Sequence, residues 1–162
     1  MAEMGKDGVI AVAAASPVRR LTACTVIYLL GILLIYLAIA EPPALPLLIL
    51  IVAFGAGVLL LGDTLRRATR MQLVLRPEGL MDDAGEMLAA IDEIASIDRG
   101  AFAFKPSNGF TLKLKSKRPR SWAPGVWWRF GRFLGVGGAV SAGQAKFMAE
   151  QIALLLAQRE TN

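Results

Sequence analysis

Two long apolar stretches near the start of the chain dominate its pattern of hydrophobic and polar positions. Residues 21–40 and 44–62 contain no charged side chain, and only Glu41, Pro42 and Pro43 separate them. At about 1.5 Å per helical residue, each stretch reaches about 30 Å, the thickness of a bilayer's hydrocarbon core. The pattern therefore predicts two membrane-spanning helices and a tight turn, which together form a helical hairpin over residues 19–65.

Positively charged residues flank this hairpin at its two open ends and are missing from its turn. Arg19 and Arg20 precede the first span, whereas Arg66, Arg67 and Arg70 follow the second. Because Lys and Arg near a span are retained on the cytoplasmic side, the sequence predicts a multi-pass protein of a bacterial inner membrane with both termini in the cytoplasm.

An alternative interpretation makes Arg19 and Arg20 the basic region of a signal peptide that is cleaved after residues 38–40, an A-x-A sequence. Signal peptides have an apolar core of about 7–15 residues. The first apolar stretch is longer and a second one follows it directly, so the sequence favours two retained spans.

The second span carries a face of small residues, which include Ala53, Gly55 and Gly57. Small side chains let two helix backbones approach closely within a membrane. We therefore expect this face to pack against the first helix, with packing against another protein as the alternative.

After residue 65 the period of the pattern changes from helical to alternating. Met71, Leu73 and Leu75 alternate with other side chains before the turn at 77–79, and short strands are predicted at 80–81, 87–90, 94–104 and 110–115. A helix could instead begin at Ile91. The fold prediction for residues 66–162 is thus a small α+β domain, an antiparallel sheet closed by one C-terminal helix.

That C-terminal helix is predicted to begin after Ser141, with Gln144 completing a capping box. Its apolar stripe recurs at helical spacing: Met148, Ile152, Leu155 and Leu156. Residues 1–18 lack a clear period and are interpreted as a mobile tail.

Composition excludes most catalytic chemistry for this chain. It has no histidine, and its single cysteine, Cys24, lies within the first span. Ser-His-Asp and Cys-His arrangements and Cys/His zinc sites are therefore excluded. The pairs Asp82–Asp83 and Asp92–Glu93 are interpreted as turn and solvated residues, and residues 135–138 lack a phosphate-binding motif. We predict no enzyme activity, no metal and no cofactor.

A basic and aromatic stretch over residues 115–133, in which Pro119, Pro124 and Gly125 break the alternation, is predicted to be a loop and is the main candidate for function. Between Lys105 and Arg132 the chain has eight cations and no anion. The candidates for contact with the membrane interface and anionic lipid are Arg118, Arg120, Trp122, Trp127, Trp128, Arg129 and Arg132. The alternative is that these tryptophans anchor the core of the domain. Nucleic-acid binding would also suit cations with aromatic rings, but no motif supports it, and we predict none.

The order of elements resembles the bacterial pleckstrin-homology-like domains that are fused to transmembrane helices. The resemblance covers residues 66–158 and is carried by the hairpin Leu73–Leu80, the step Ile91–Ile94 and the helix from Ser141 to Gln158. One departure is Ile91, at a position that is often tryptophan in such domains. The resemblance implies a strongly bent sheet or partial barrel, a binding or assembly role, and no catalytic residues.

Two functional hypotheses follow from these features. The first is a membrane-anchored interaction or scaffold module that docks to another inner-membrane protein complex, or to a second copy of this chain. The second is a peripheral domain that senses anionic lipid through residues 115–133.

Overall fold

The computed structural model describes residues 8–98, 107 and 109–160. The chain divides into two compact units: one is the continuous segment Pro17–Arg67, and the other combines the segments before and after it. The helical segment is thus an insertion within the chain of the second unit.

The inserted unit consists of α1 (Pro17–Ala40) and α2 (Leu45–Ala68). Both helices are long and apolar enough to cross a membrane, with mean hydropathies of 2.5 and 2.6 in their most apolar windows. They approach closely at Gly31 and Gly55, where a Cβ on Gly31 would lie 3.2 Å from the Gly55 carbonyl oxygen. The predicted pair of long apolar helices is confirmed, and α2 continues beyond the predicted end at residue 62.

The second unit contains a four-stranded antiparallel sheet in the order β1-β2-β3-β4. Its strands are β1 (Ala11–Ala14), β2 (Gln72–Arg76), β3 (Gly79–Asp82) and β4 (Met87–Ala90). The predicted hairpin around residues 77–79 is confirmed, because Leu75 pairs with Leu80. Residues 91–93 form a single 3-10 turn rather than the start of a longer helix.

The interpretation of the N-terminal residues as a mobile tail is wrong for β1. Ala11 pairs with Leu75, and the Ser16 and Ser141 amides donate to the carbonyls of Ala139 and Ala14 at 2.8 and 3.0 Å. Ala13 is fully buried. Alanine favours strands only weakly, so this segment carries no strong strand signal, yet Ala11 and Ala13 are buried in the core.

A second antiparallel sheet has the order β5-β6-β7. It is formed by β5 (Ile94–Asp98), β6 (Phe110–Ala123) and β7 (Trp127–Val136). The rest of the predicted fourth strand, residues 99–104, lies outside the described residues.

The C-terminal helix, α3 (Ala142–Glu160), packs its predicted apolar stripe into the core. Met148 and Ile152 are fully buried together with strand residues from both sheets, among them Leu73, Leu80, Leu112 and Leu134. Gln144 does not act as the predicted capping partner, because its Oε1 accepts the Ala14 amide at 3.1 Å. The coarse fold prediction, a small antiparallel sheet region with one C-terminal helix, is therefore confirmed.

Candidate functional site

The basic and aromatic stretch forms the hairpin β6–β7 rather than an irregular loop. Its turn closes where the Val126 amide donates to the Ala123 carbonyl at 3.1 Å, and Gly125 adopts a φ of 76°. Pro119 is tolerated inside β6 because the described part of β5 pairs only with residues 111–114, so this part of β6 has β7 as its one described strand partner. The hairpin therefore divides the candidate residues between two faces.

The inner face of the hairpin buries Trp127 and Arg129, each only 6% exposed. The Arg129 guanidinium donates to the carbonyls of Pro119 and Leu88, both at 3.0 Å, and lies 5.8 Å from the centre of the Trp127 ring system. Because Leu88 belongs to β4, this side chain links the two sheets, which otherwise form separate ladders in the described part of the chain. These two candidates belong to the core, and the interface interpretation is wrong for them.

The outer face of the hairpin exposes aromatic rings beside a cation. Trp122 pairs with Trp128 across the strands, and Trp122 and Phe130 are 63% and 60% exposed. The Arg120 guanidinium lies 5.5 Å from the centre of the Phe130 ring, which is within the range of a cation–π contact. Of the predicted candidates, Arg120, Trp122 and Trp128 thus lie on one accessible surface.

Two further candidates have different surroundings. Arg118 is half-buried, and its Nη2 donates to Glu93 Oε1 at 2.6 Å. Glu93 Oε2 also accepts the Ala90 amide at 3.5 Å, so the ion pair holds the connection between β4 and β5. Arg132 is exposed and forms no ion pair with any described residue.

A groove lies on the solvent side of the sheet β5-β6-β7 and includes part of the outer face of the hairpin. It encloses about 440 Å³, and its described lining residues are Ser96, Asp98, Thr111, Lys113, Trp128, Phe130 and Phe133. The sequence analysis selected only Trp128 from this set. Thr111 and Lys113 alternate with apolar neighbours, and this alternation indicates that their side chains point away from the core. No pattern in the sequence indicated that Phe133 lies beside them.

The small residues of α2 do not share one environment. Gly55 is buried against α1, where an added Cβ would lie 2.8 Å from Ile35 Cγ1, whereas Ala53 and Gly57 are exposed and Gly57 has open space around it. Packing against the first helix is confirmed for Gly55, and it is wrong for Ala53 and Gly57. Their packing against another protein stays a prediction.

The paired carboxylates have structural positions. Asp82 is buried and its Oδ1 accepts the Glu86 amide at 2.7 Å, which stabilises the turn between β3 and β4.

Within residues 8–98, 107 and 109–160, no group of three His, Cys, Asp or Glu side chains is placed to hold a metal ion. No protein-family model, no curated protein and no solved structure matches this chain.

Proposed function

We propose that this protein is a non-catalytic interaction module that docks onto another membrane protein through the outer face of β6–β7. The observation that carries the proposal is the exposure of the Trp122 and Phe130 rings on one face, beside Arg120. Large exposed apolar groups bordered by charge mark interaction surfaces, and Trp and Arg are enriched among the residues that dominate binding energy.

In this proposal, α1 and α2 anchor the protein in a bacterial inner membrane as a two-span hairpin. The pairing of β1 with β2 supports an even number of crossings, because β1 precedes the helices and β2 follows them in one sheet. Both strands must then lie on the same side of the membrane. The arginines that flank the spans favour the cytoplasmic side, as does their absence from the turn at residues 41–43.

We further propose that the second unit is a pleckstrin-homology-like domain. A four-stranded and a three-stranded antiparallel sheet followed by a C-terminal helix support this assignment, with the helical hairpin inserted after the first strand. Such a domain is a binding or assembly module, which agrees with a docking role for the exposed face.

Affinity purification of the full chain from membranes in mild detergent tests the proposal. The expected result is one stoichiometric protein partner that is recovered with the wild type and lost with the double variant Trp122→Ala, Phe130→Ala. The matched control is Phe147→Ala, because Phe147 is an exposed ring on α3. Equal recovery with both variants would contradict docking through β6–β7, and recovery only of a differently tagged copy of the chain would make the partner a homo-oligomer.

A second candidate function is contact with anionic lipid. It is favoured by the exposed cations of the same hairpin, since Arg120, Arg132, Lys115 and Lys117 are all exposed and none has an ion pair with a described residue. Each cation close to an anionic surface contributes about 1 kcal/mol of attraction.

Nanodiscs that contain brominated lipid distinguish lipid contact from protein docking. With the full chain in discs rich in anionic lipid, bromine should quench Trp122 in a Trp128→Phe variant, whereas a Trp122→Phe, Trp128→Phe variant retains only buried Trp127 and serves as the reference. The quenching should weaken at 1 M salt, where the Debye length falls to about 3 Å. Unquenched Trp122 at low salt would contradict the lipid function and leave the docking function intact.

A further inference from the structure

The floor of the groove depends on Gly135, because a side chain at this position would collide with the Trp128 indole. Asp98 pairs with Thr111, which pairs with Gly135, and these three residues form one row across the sheet. A Cβ on Gly135 would lie within 2.6 Å of Trp128 Cζ2, so the indole occupies the place of a side chain. Thr111 is 6% exposed and lies at the bottom of the groove.

The walls of the groove are apolar and supported by strands. Trp128, Phe130 and Phe133 all project from β7, and the Phe133 ring is 48% exposed. The volume of about 440 Å³ falls within the range of roughly 300–1,000 Å³ that is typical of small-molecule sites. Such sites are lined mainly by apolar groups with a small number of polar ones, and here the polar side chains are those of Ser96, Asp98, Thr111 and Lys113 on β5 and β6.

Among the described residues that line this groove, Lys113 is the one cation. Lys113 is exposed and pairs in register with Phe133, and its ammonium forms no ion pair with any described residue. Asp98, the acidic residue of the lining, already has an interaction partner. An ammonium recognises negative charge without a fixed geometry, so a ligand is selected by its charge at this end and by its apolar surface elsewhere.

We propose that this groove binds a single-chain amphipathic anion, whose charged group pairs with Lys113 and whose apolar chain lies against Trp128 and Phe133. The occupant is a free amphiphile rather than a bilayer phospholipid, because the enclosed volume is that of a small-molecule site. The groove shares Phe130 with the docking surface formed by Trp122, Phe130 and Arg120, but Lys113 and Phe133 belong to the groove alone, so this inference goes beyond the docking function.

The test uses the full chain in phosphatidylcholine nanodiscs, titrated with decanoate and with the uncharged analogue decanol. Tryptophan emission reports binding, and the response should disappear in Trp128→Phe. Lys113→Gln should raise the Kd for decanoate about tenfold, the effect of losing one charge-assisted hydrogen bond, while the Kd for decanol stays unchanged. Phe133→Ala should weaken the binding of both ligands.

Lys117→Gln is the matched control, because Lys117 is an exposed cation on the same strand outside the groove. Hydrogen exchange of β6 and β7 verifies that each variant keeps its fold. The proposal is overturned if the wild type shows no saturable response, if decanol binds as tightly as decanoate, or if Lys113→Gln and Lys117→Gln behave alike. Displacement of decanoate by phosphatidylglycerol in the discs would also overturn it, because the occupant would then be a bilayer lipid.

Discussion

The two faces of the hairpin β6–β7 have similar compositions and opposite surroundings. On the inner face, Trp127 and Arg129 are buried and the arginine links two sheets. On the outer face, Trp122 is exposed and the Arg120 guanidinium lies over the Phe130 ring. The same pair of residue types therefore stabilises the fold on one face and is available for binding on the other.

The two faces differ in burial because side chains alternate between the two faces of a strand. Successive side chains of a strand point to opposite faces, so the neighbours Trp127 and Trp128 must separate. The register Ala123↔Trp127 directs one tryptophan inward, and Trp122↔Trp128 directs the other outward. Composition alone could not assign these roles, because it counts both tryptophans alike.

The strongest test of the comparison is Trp127→Ala. Removing a buried indole should lower the free energy of unfolding by about 3–5 kcal/mol, as for other large core truncations. Hydrogen–deuterium exchange of the β6 and β7 amides measures this loss in the full chain.

A matched variant, Trp127→Phe, should lower the free energy of unfolding much less than Trp127→Ala does. It keeps a ring in the core and removes an indole N–H that is buried and has no hydrogen-bond partner in the described part of the chain. If Trp127→Ala left the exchange rates unchanged, the inner face would not be a core.

The sequence predicted those parts of the fold in which apolar residues recur at a single period. The two long helices, the hairpin β2–β3 and α3 each have one apolar face or are apolar throughout, so length and spacing identified them. The hairpin β6–β7 carries aromatic residues on both faces, and this removes the alternation on which strand prediction depends. Pro119 and Gly125 then gave the stretch the signature of a loop.

The strand β1 could not be predicted for a different reason. Its partner β2 follows about sixty residues later, after both helices, and no local signal reports so distant a pairing. The groove was missed for the same reason, because Lys113 and Phe133 become neighbours only through the register of β6 and β7.

Arg129→Met is expected to have the second-largest effect. Methionine retains apolar bulk, but it leaves the Pro119 and Leu88 carbonyls without their donor and unlinks the sheets. A lost hydrogen bond to a charged group costs about 1.5–3 kcal/mol, and removing the guanidinium also removes the cost of burying its charge, so a net loss of about 2–4 kcal/mol is expected for the two bonds together. The contrasting variant is Arg132→Met, which should change stability by less than about 0.5 kcal/mol because Arg132 is exposed. Equal effects of the two variants would remove the distinction between the faces.

Substitution of Arg118 should have an intermediate effect on stability, because this residue is half-buried and forms an ion pair with Glu93. Arg118→Gln should cost about 1 kcal/mol, because its ion pair with Glu93 is half-buried and well aligned but partly screened by solvent. The hydrogen-exchange rates of the amides around residues 90–94 should rise, because Glu93 also accepts the Ala90 amide. A double variant with Glu93→Gln should cost less than the sum of the two single changes, and strict additivity would show that the pair contributes nothing.

The smallest effect on stability is expected for Trp122→Ala, the outer counterpart of Trp127→Ala. With 63% of its surface exposed, Trp122 has little area to lose to solvent, so the free energy of unfolding should change by less than about 0.5 kcal/mol. Its loss should appear instead in binding, because a large ring at the centre of an interface often dominates the affinity. Hydrogen exchange of the variant therefore has to be measured alongside recovery of the partner. Unchanged exchange with lost recovery would give the outer face a function separate from folding, whereas faster exchange throughout β6 and β7 would mean that both faces of the hairpin support the fold.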